Sequence, residues 1–215
     1  TAASGTKSAY ISNNGGTNYA YANSTRTSHF YRTITIPAGA TNLTLSFNWR
    51  SAGEVGWDRF MVFTGPTSVT PVAGTPSAPN ETITGATQVF KQTVLEDATY
   101  TTETISLPAS LAGTTIRLIF TWQSDASSRT QPPASIDDVS LTYIAGATIT
   151  SFSPTSGCEG TTTVTSNGTN FTGATEVKFG GTDAASFSVI SNTQITAIPD
   201  AGATGPITIT VPAGT

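Results

Sequence analysis

In Leu43-Thr-Leu-Ser-Phe-Asn-Trp49 every second residue is large and apolar, and Ile116-Arg-Leu-Ile-Phe-Thr-Trp122 repeats the pattern. A period of two puts one set of side chains on one face of a strand and the rest on the other. Such segments fold only into sheets that bury one face. Trp57-Asp-Arg-Phe60-Met-Val62-Phe63 is apolar on both faces, as in a strand that is covered on both sides. Shorter strand signals end at prolines, in Thr33-Ile-Thr-Ile-Pro37 and Thr104-Ile-Ser-Leu-Pro108, and Ser140-Leu-Thr-Tyr143 closes the series. Turns fall at Pro37-Ala-Gly39 and across residues 65–85, which hold four prolines. No segment carries the i, i+3, i+4, i+7 stripe of an amphipathic helix.

Composition removes several function classes. Charged residues are only 10% of the 215, and Thr and Ser together number 66. The formal net charge of −4 argues against a nucleic-acid partner, which needs a dense basic face. One cysteine rules out an internal disulfide framework and a multi-cysteine metal site. No apolar run reaches the ~18 residues of a membrane span, and Thr1–Tyr10 is not a signal peptide. A soluble, β-rich chain without membrane insertion is expected.

The residue types segregate along the chain. All six Arg, all six Tyr, all three Trp and the single His precede residue 145. Residues 146–215 carry five charges: Glu159, Glu176, Lys178, Asp183 and Asp200. Two domains are therefore expected, 1–145 and 146–215, joined stiffly at Ile144-Ala-Gly146. Nine or so short strands in the first suit a jelly-roll sandwich. In the second, strands recur about every ten residues, as in a small Ig-like sandwich. The expected fold class is all-β, a jelly-roll β-sandwich followed by a small Ig-like β-sandwich.

The second domain resembles the IPT/TIG family of Ig-like modules. The resemblance is carried by Ile149-Thr-Ser-Phe-Ser-Pro-Thr-Ser-Gly157, Gly168-Thr-Asn-Phe-Thr-Gly173, Val177-Lys-Phe-Gly-Gly-Thr182, Gln194-Ile-Thr-Ala197 and Gly205-Pro-Ile-Thr-Ile-Thr-Val211. It implies a spacer module of secreted, cell-surface proteins, and such modules run on into one more strand. The chain is thus expected to continue past Thr215. The first domain is similar to the MAM-like or cleaved-adhesin-type jelly rolls of gliding bacteria. Gly16-Thr-Asn-Tyr-Ala-Tyr21, His29-Phe-Tyr-Arg32, Gly56-Trp-Asp58 and Ile136-Asp-Asp-Val-Ser-Leu141 carry this likeness. It implies an extracellular home in a large multidomain protein, often exported by the type IX route.

Catalysis has little to stand on. A nucleophile needs a base beside it, and His29 and Cys158 lie in different domains. Glu54, Asp58, Asp97, Asp125, Asp137 and Asp138 are the carboxylates available for paired acid–base work, without a glycosidase-like motif around them. For metal, Asp137 and Asp138 open the last strand of the first domain, and Asp58 raises the same question on its own strand. The jelly-roll likeness implies a structural Ca²⁺ between the start of the chain and that last strand. Alternation puts Asp137 in phase with Val139, Leu141 and Tyr143, so it is expected to point inward and to need compensation. Calcium, backbone N–H groups of residues 131–134, or Arg50 or Arg59 would each supply it, with Ser12, Asn13 and Asn14 as further oxygen donors. For sugar, Trp57, Tyr19, Tyr21 and Tyr31 are the candidate ring-stacking residues, whereas Trp49 and Trp122 keep phase with the core. Five Asn-X-Ser/Thr sequons, at Asn23, Asn42, Asn80, Asn167 and Asn170, arise readily in a Thr-rich chain.

The expected role is a non-enzymatic segment of a secreted bacterial surface adhesin. The jelly roll would meet a surface glycan or protein ligand, and the Ig-like module would space it from further modules of the same polypeptide. The alternative is a carbohydrate-binding module attached to a secreted polysaccharide-degrading enzyme.

Overall fold

The computed structural model describes residues 2–10, 24–74, 82–93, 97–127 and 133–211. The chain divides into two compact units. One is Thr1–Ile36 with Leu43–Thr142, and the other is Pro37–Asn42 with Tyr143–Thr215.

Eight strands of the first unit are described: β1 (Ala9–Tyr10), β2 (Arg26–Thr35), β3 (Thr41–Ser51), β4 (Arg59–Pro66), β5 (Thr87–Gln92), β6 (Asp97–Ser106), β7 (Thr115–Ser124) and β8 (Ser135–Ile144). They form two four-stranded sheets, β1-β8-β3-β6 and β2-β7-β4-β5. Successive strands mostly change sheet, which is the double Greek key of a jelly roll. The inward residues of β3 are the ones its alternation marks: Leu43, Leu45, Phe47 and Trp49 are all buried. Phe47 stands edge-on to Phe60, Phe90 and Phe120, with ring centroids 5.6–6.0 Å apart. That geometry adds the attraction of ring edge to ring face to the area buried.

β4 is buried from Arg59 to Gly65 because its sheet is covered twice. The facing sheet covers one side. On the other, Met61, Phe63 and Ile119 pack under Val69 and Ile83 from the β4–β5 connection. That connection reads as a plain turn region in the sequence, yet it supplies a second small core. β2 starts at Arg26, earlier than its proline-bounded end suggests, and β5 has no strong alternation to announce it. β4 begins at Arg59, so Trp57 belongs to the preceding turn and not to the strand.

The second unit contains β9 (Thr148–Ser153), β10 (Val164–Thr169), β11 (Glu176–Phe179), β12 (Thr182–Ser191), β13 (Gln194–Pro199) and β14 (Ile207–Thr210), in the order β14-β11-β12-β13-β10-β9. The start of β12 pairs with β11, and its remainder pairs with β13. A register shift between Ala184 and Ser186 lies at the crossover. One strand thus serves both faces of a small sandwich, a bend that such irregularities permit. The core is Val164, Phe171, Val177, Phe179, Ile195 and Ala197. Gly168 is required there, because a Cβ would fall 1.8 Å from the carbonyl oxygen of Thr148 and 2.6 Å from Cζ of Phe171. Among the described residues no helix is long and apolar enough to cross a membrane.

Candidate functional site

Trp57 is the most exposed of the three tryptophans, at 56%, while Trp49 and Trp122 are buried. The loop that carries it, Ala52–Asp58, is built around the carboxylate of Asp58, which is fully buried. Asp58 Oδ2 accepts the backbone N–H of Glu54 at 2.8 Å, and its Oδ1 accepts that of Asp125 at 3.2 Å. One side chain therefore fastens the β3–β4 loop to the end of β7. The backbone N–H groups of Trp57 and Asp58 close the turn by donating to the carbonyl of Glu54. Arg59 reinforces it, because its guanidinium donates to the carbonyls of Trp57 (2.7 Å) and Gly56 (3.3 Å). Gly53 is needed because a Cβ would lie 2.6 Å from the Trp122 ring and 2.8 Å from Asp58 Oδ2. Beside the loop, the Ser127 hydroxyl lies 2.8 Å from Glu54 Oε2 and 2.5 Å from Asp125 Oδ2. The loop thus carries an exposed indole, and it shares with the adjoining end of β7 a small group of carboxylates and a hydroxyl.

Tyr31 is 44% exposed, and the Arg117 guanidinium lies 4.6 Å from its ring centroid. It stands opposite Ile119 on β7, whereas Arg59, next to the Trp57 turn, stands opposite Gln123. Four positions along a strand are about 13 Å, so the two rings occupy different parts of the sheet. Tyr19 and Tyr21, with Ser12, Asn13 and Asn14, lie outside the described residues.

Asp137 does not point into the core. Its Oδ2 accepts the backbone N–H groups of Ala3 (2.7 Å) and Ser4 (3.2 Å), and its Oδ1 accepts that of Asp138 (2.9 Å). The inward expectation fails because the backbone at Asp138 is left-handed, φ 48°, which breaks the alternation. Ile136 is buried before the break, and Val139 and Leu141 line an apolar groove after it. Among the described residues the compensating donors are the N–H groups of Ala3, Ser4 and Asp138, not Ala134, Arg50 or Arg59, and residues 131–132 lie outside the described residues. Asp138 accepts the Ser4 hydroxyl and, at 2.8 Å, the Asn48 amide, whose oxygen in turn accepts the Thr102 hydroxyl at 2.6 Å.

The donor set suits a hydrogen-bonded pair better than calcium, which needs six to eight oxygen ligands. Every oxygen of Asp137 and Asp138 already takes an N–H or O–H donor. Asp58 has its own partners at the Trp57 loop. Among the described residues no group of three or more His, Cys, Asp or Glu is placed to hold a metal.

Desolvation pushes the Asp137 carboxyl up, and the N–H donors of Ser4, Asp138 and Ala3 outweigh it, leaving it below the ordinary carboxylate range. A depressed folded value means that the anchoring of residues 3–4 is complete above the ordinary range and is lost as pH falls through the lower one. The amide signals of Ala3 and Ser4 should collapse toward free-chain positions in that acidic window and stay unmoved by EDTA at neutral pH. An EDTA-induced shift of either signal would restore calcium.

His29 is engaged at both ring nitrogens. Its Nδ1 lies 2.9 Å from the Thr121 hydroxyl and its Nε2 lies 3.3 Å from the carbonyl of Val72. Only an N–H can meet a carbonyl, so Nε2 is the donor to Val72.

In the second unit, Gly168 seats the core phenylalanine and Gly180 touches the β13–β14 loop, where a Cβ would lie 1.8 Å from the carbonyl oxygen of Thr204. Residues 147–215 match the IPT/TIG domain. No curated protein matches the chain significantly. The IPT/TIG match takes in all six strands of this unit and stops short of the jelly roll. Cys158 of the IPT/TIG-like module is free and exposed, and its hydrogen bonds are made by its backbone: its N–H donates to the Thr162 hydroxyl at 2.8 Å, and its carbonyl accepts the N–H of Thr162 at 3.0 Å. Cys158→Ser should therefore shift stability by less than about 0.5 kcal/mol, measured by melting. A larger loss would show that the thiol has a role.

Proposed function

We propose that the chain is a non-enzymatic segment of a secreted, multidomain surface adhesin. Its jelly roll presents a ligand-binding loop centred on Trp57, and its IPT/TIG-like module spaces that loop from further modules of the polypeptide. The observation that carries the reading is Trp57 itself. A large aromatic ring is held in water, at 56% exposure, by a turn tied down through the buried Asp58. A ring fixed before binding loses little freedom when a ligand arrives. The tandem of two β-sandwiches, one of them matching a generic Ig-like module, supports a display role.

The second reading, a carbohydrate-binding module serving a secreted polysaccharide-degrading enzyme, is favoured by the surroundings of that ring. Glu54, on the same loop, and Asp125 and Ser127, tied to that loop, are polar partners for sugar hydroxyls, and the exposed indole can cover an apolar sugar face. A glycan array with the full chain and Trp57→Ala separates the readings. Adhesion to cells or matrix protein that depends on Trp57, with no glycan signal, supports the first. A Trp57-dependent polysaccharide signal supports the second. Binding of both kinds unchanged by Trp57→Ala removes the loop from either.

A further inference from the structure

The IPT/TIG-like unit contains a hollow of about 330 Å³, bounded by the end of β9, the turn after it, and the β13–β14 loop. Its floor is core: Val164 and Phe179. Phe152 forms one wall and is 42% exposed, an unusual place for a phenylalanine on a strand of an otherwise polar face. The rim is hydroxylic. Thr155, Ser156 and Thr204 border the hollow, and among the described residues none of their hydroxyls has a protein partner. Glu159 also borders it. Its Oε2 accepts the backbone N–H of Gly202 at 2.9 Å, which fixes the carboxylate and leaves the other oxygen without a protein donor.

An aromatic wall, an apolar floor and a ring of unpaired hydroxyls fit a ligand with one apolar face and many hydroxyls. We propose that this hollow binds a neutral pyranose unit of a polysaccharide, with the sugar face against Phe152 and its hydroxyls on Thr155, Thr204 and Glu159. The volume is at the small end for ligand sites, so it takes one ring and not an extended chain. Charge selects neutral sugars over acidic ones. Glu159 is at the rim and Asp200 follows the lining residue Pro199. Lys178, the unit's one cation, is held between Glu176 and Asp183 at 2.8 Å from each. An acidic sugar would meet like charge without a counter-ion.

The proposal stands apart from the Trp57 loop, and its test keeps the two distinct. The isotope-labelled full chain is titrated with cellohexaose, mannohexaose and xylohexaose, and amide shifts are followed. At least one of the three should move the signals of Phe152, Thr155 and Thr204. Phe152→Ala should weaken that binding roughly fivefold to tenfold. Being exposed, Phe152 can be replaced with little change in melting, which is measured alongside. Thr155→Val with Thr204→Val keeps the shape, removes two hydroxyls, and should also weaken binding. Trp57→Ala should leave these shifts in place. The proposal is overturned if none of the three sugars moves these signals, if the movement is confined to the Trp57 loop, or if it survives Phe152→Ala at unchanged affinity.

Discussion

Phe171→Ala should cost the second unit about 3–5 kcal/mol and leave the first unit's melting where it was. Phe171 is completely buried and sits in the cluster formed by Val164, Val177, Phe179, Ile195 and Ala197. Gly168 lies against it, where a Cβ would fall 2.6 Å from Cζ of the ring, and the paired backbones of β9 and β10 limit how far the site can collapse. The cavity term therefore adds to the lost transfer free energy. A domain's whole stability is of order 5–15 kcal/mol, and a unit this small lies toward the low end. The second unit of the variant should then be largely unfolded at a temperature where the first unit is intact. The first has a separate core of rings around Phe47. Calorimetry reads the outcome directly, as loss or downward shift of one transition with the other fixed. A single transition that moves as a whole would show that the two units melt as one.

How much of this was legible beforehand depended on how local each signal is. Alternation in Leu43–Trp49 and Ile116–Trp122 marks inward residues correctly, because a strand's faces are set by its own backbone. The same logic misplaces Asp137, since one residue of left-handed backbone at Asp138 exchanges the faces. Nothing in Ile136-Asp-Asp-Val announces that exchange, apart from the tolerance of Asp for such a conformation. The double burial of β4 shows in its unbroken apolar run. The segment that covers it does not, because Val69 and Ile83 are isolated among Thr, Ser, Pro and Gly. Trp57 is named as a candidate from the sequence, but its exposure comes from the turn before β4, which no strand alternation announces. Asp58 finds its partners at Glu54 and Asp125, and the second contact spans 67 residues. The hollow beside Phe152 is likewise made by loops distant in sequence, the turn after β9 and the β13–β14 loop, so no local signal marks it.

Asp58→Ala should destabilise the jelly roll by about 2–4 kcal/mol and free Trp57 from its fixed position. The substitution removes the acceptor of the partly buried N–H groups of Glu54 and Asp125 and leaves a gap at the fully buried position 58. Removing one partner of a buried hydrogen bond costs the desolvation of the other, and here two donors depend on one carboxylate. For a unit of this size each kcal/mol moves the midpoint by roughly 2–4 °C. Asp58→Asn is the informative companion. It keeps the shape and one acceptor oxygen, but sets an NH₂ against the other N–H, so it should fall between wild type and Asp58→Ala. The loop has its own readout, because Trp49 and Trp122 are buried and the red-shifted emission belongs to Trp57. In Asp58→Ala, below its melting range, that emission should become less anisotropic and more accessible to acrylamide. Trp57→Phe, which removes the component, supplies the assignment. If Asp58→Ala melts like wild type and its tryptophan anisotropy is unchanged, the loop is held by something other than this carboxylate. The rigid presentation of Trp57, on which the adhesive reading depends, would then have to be given up.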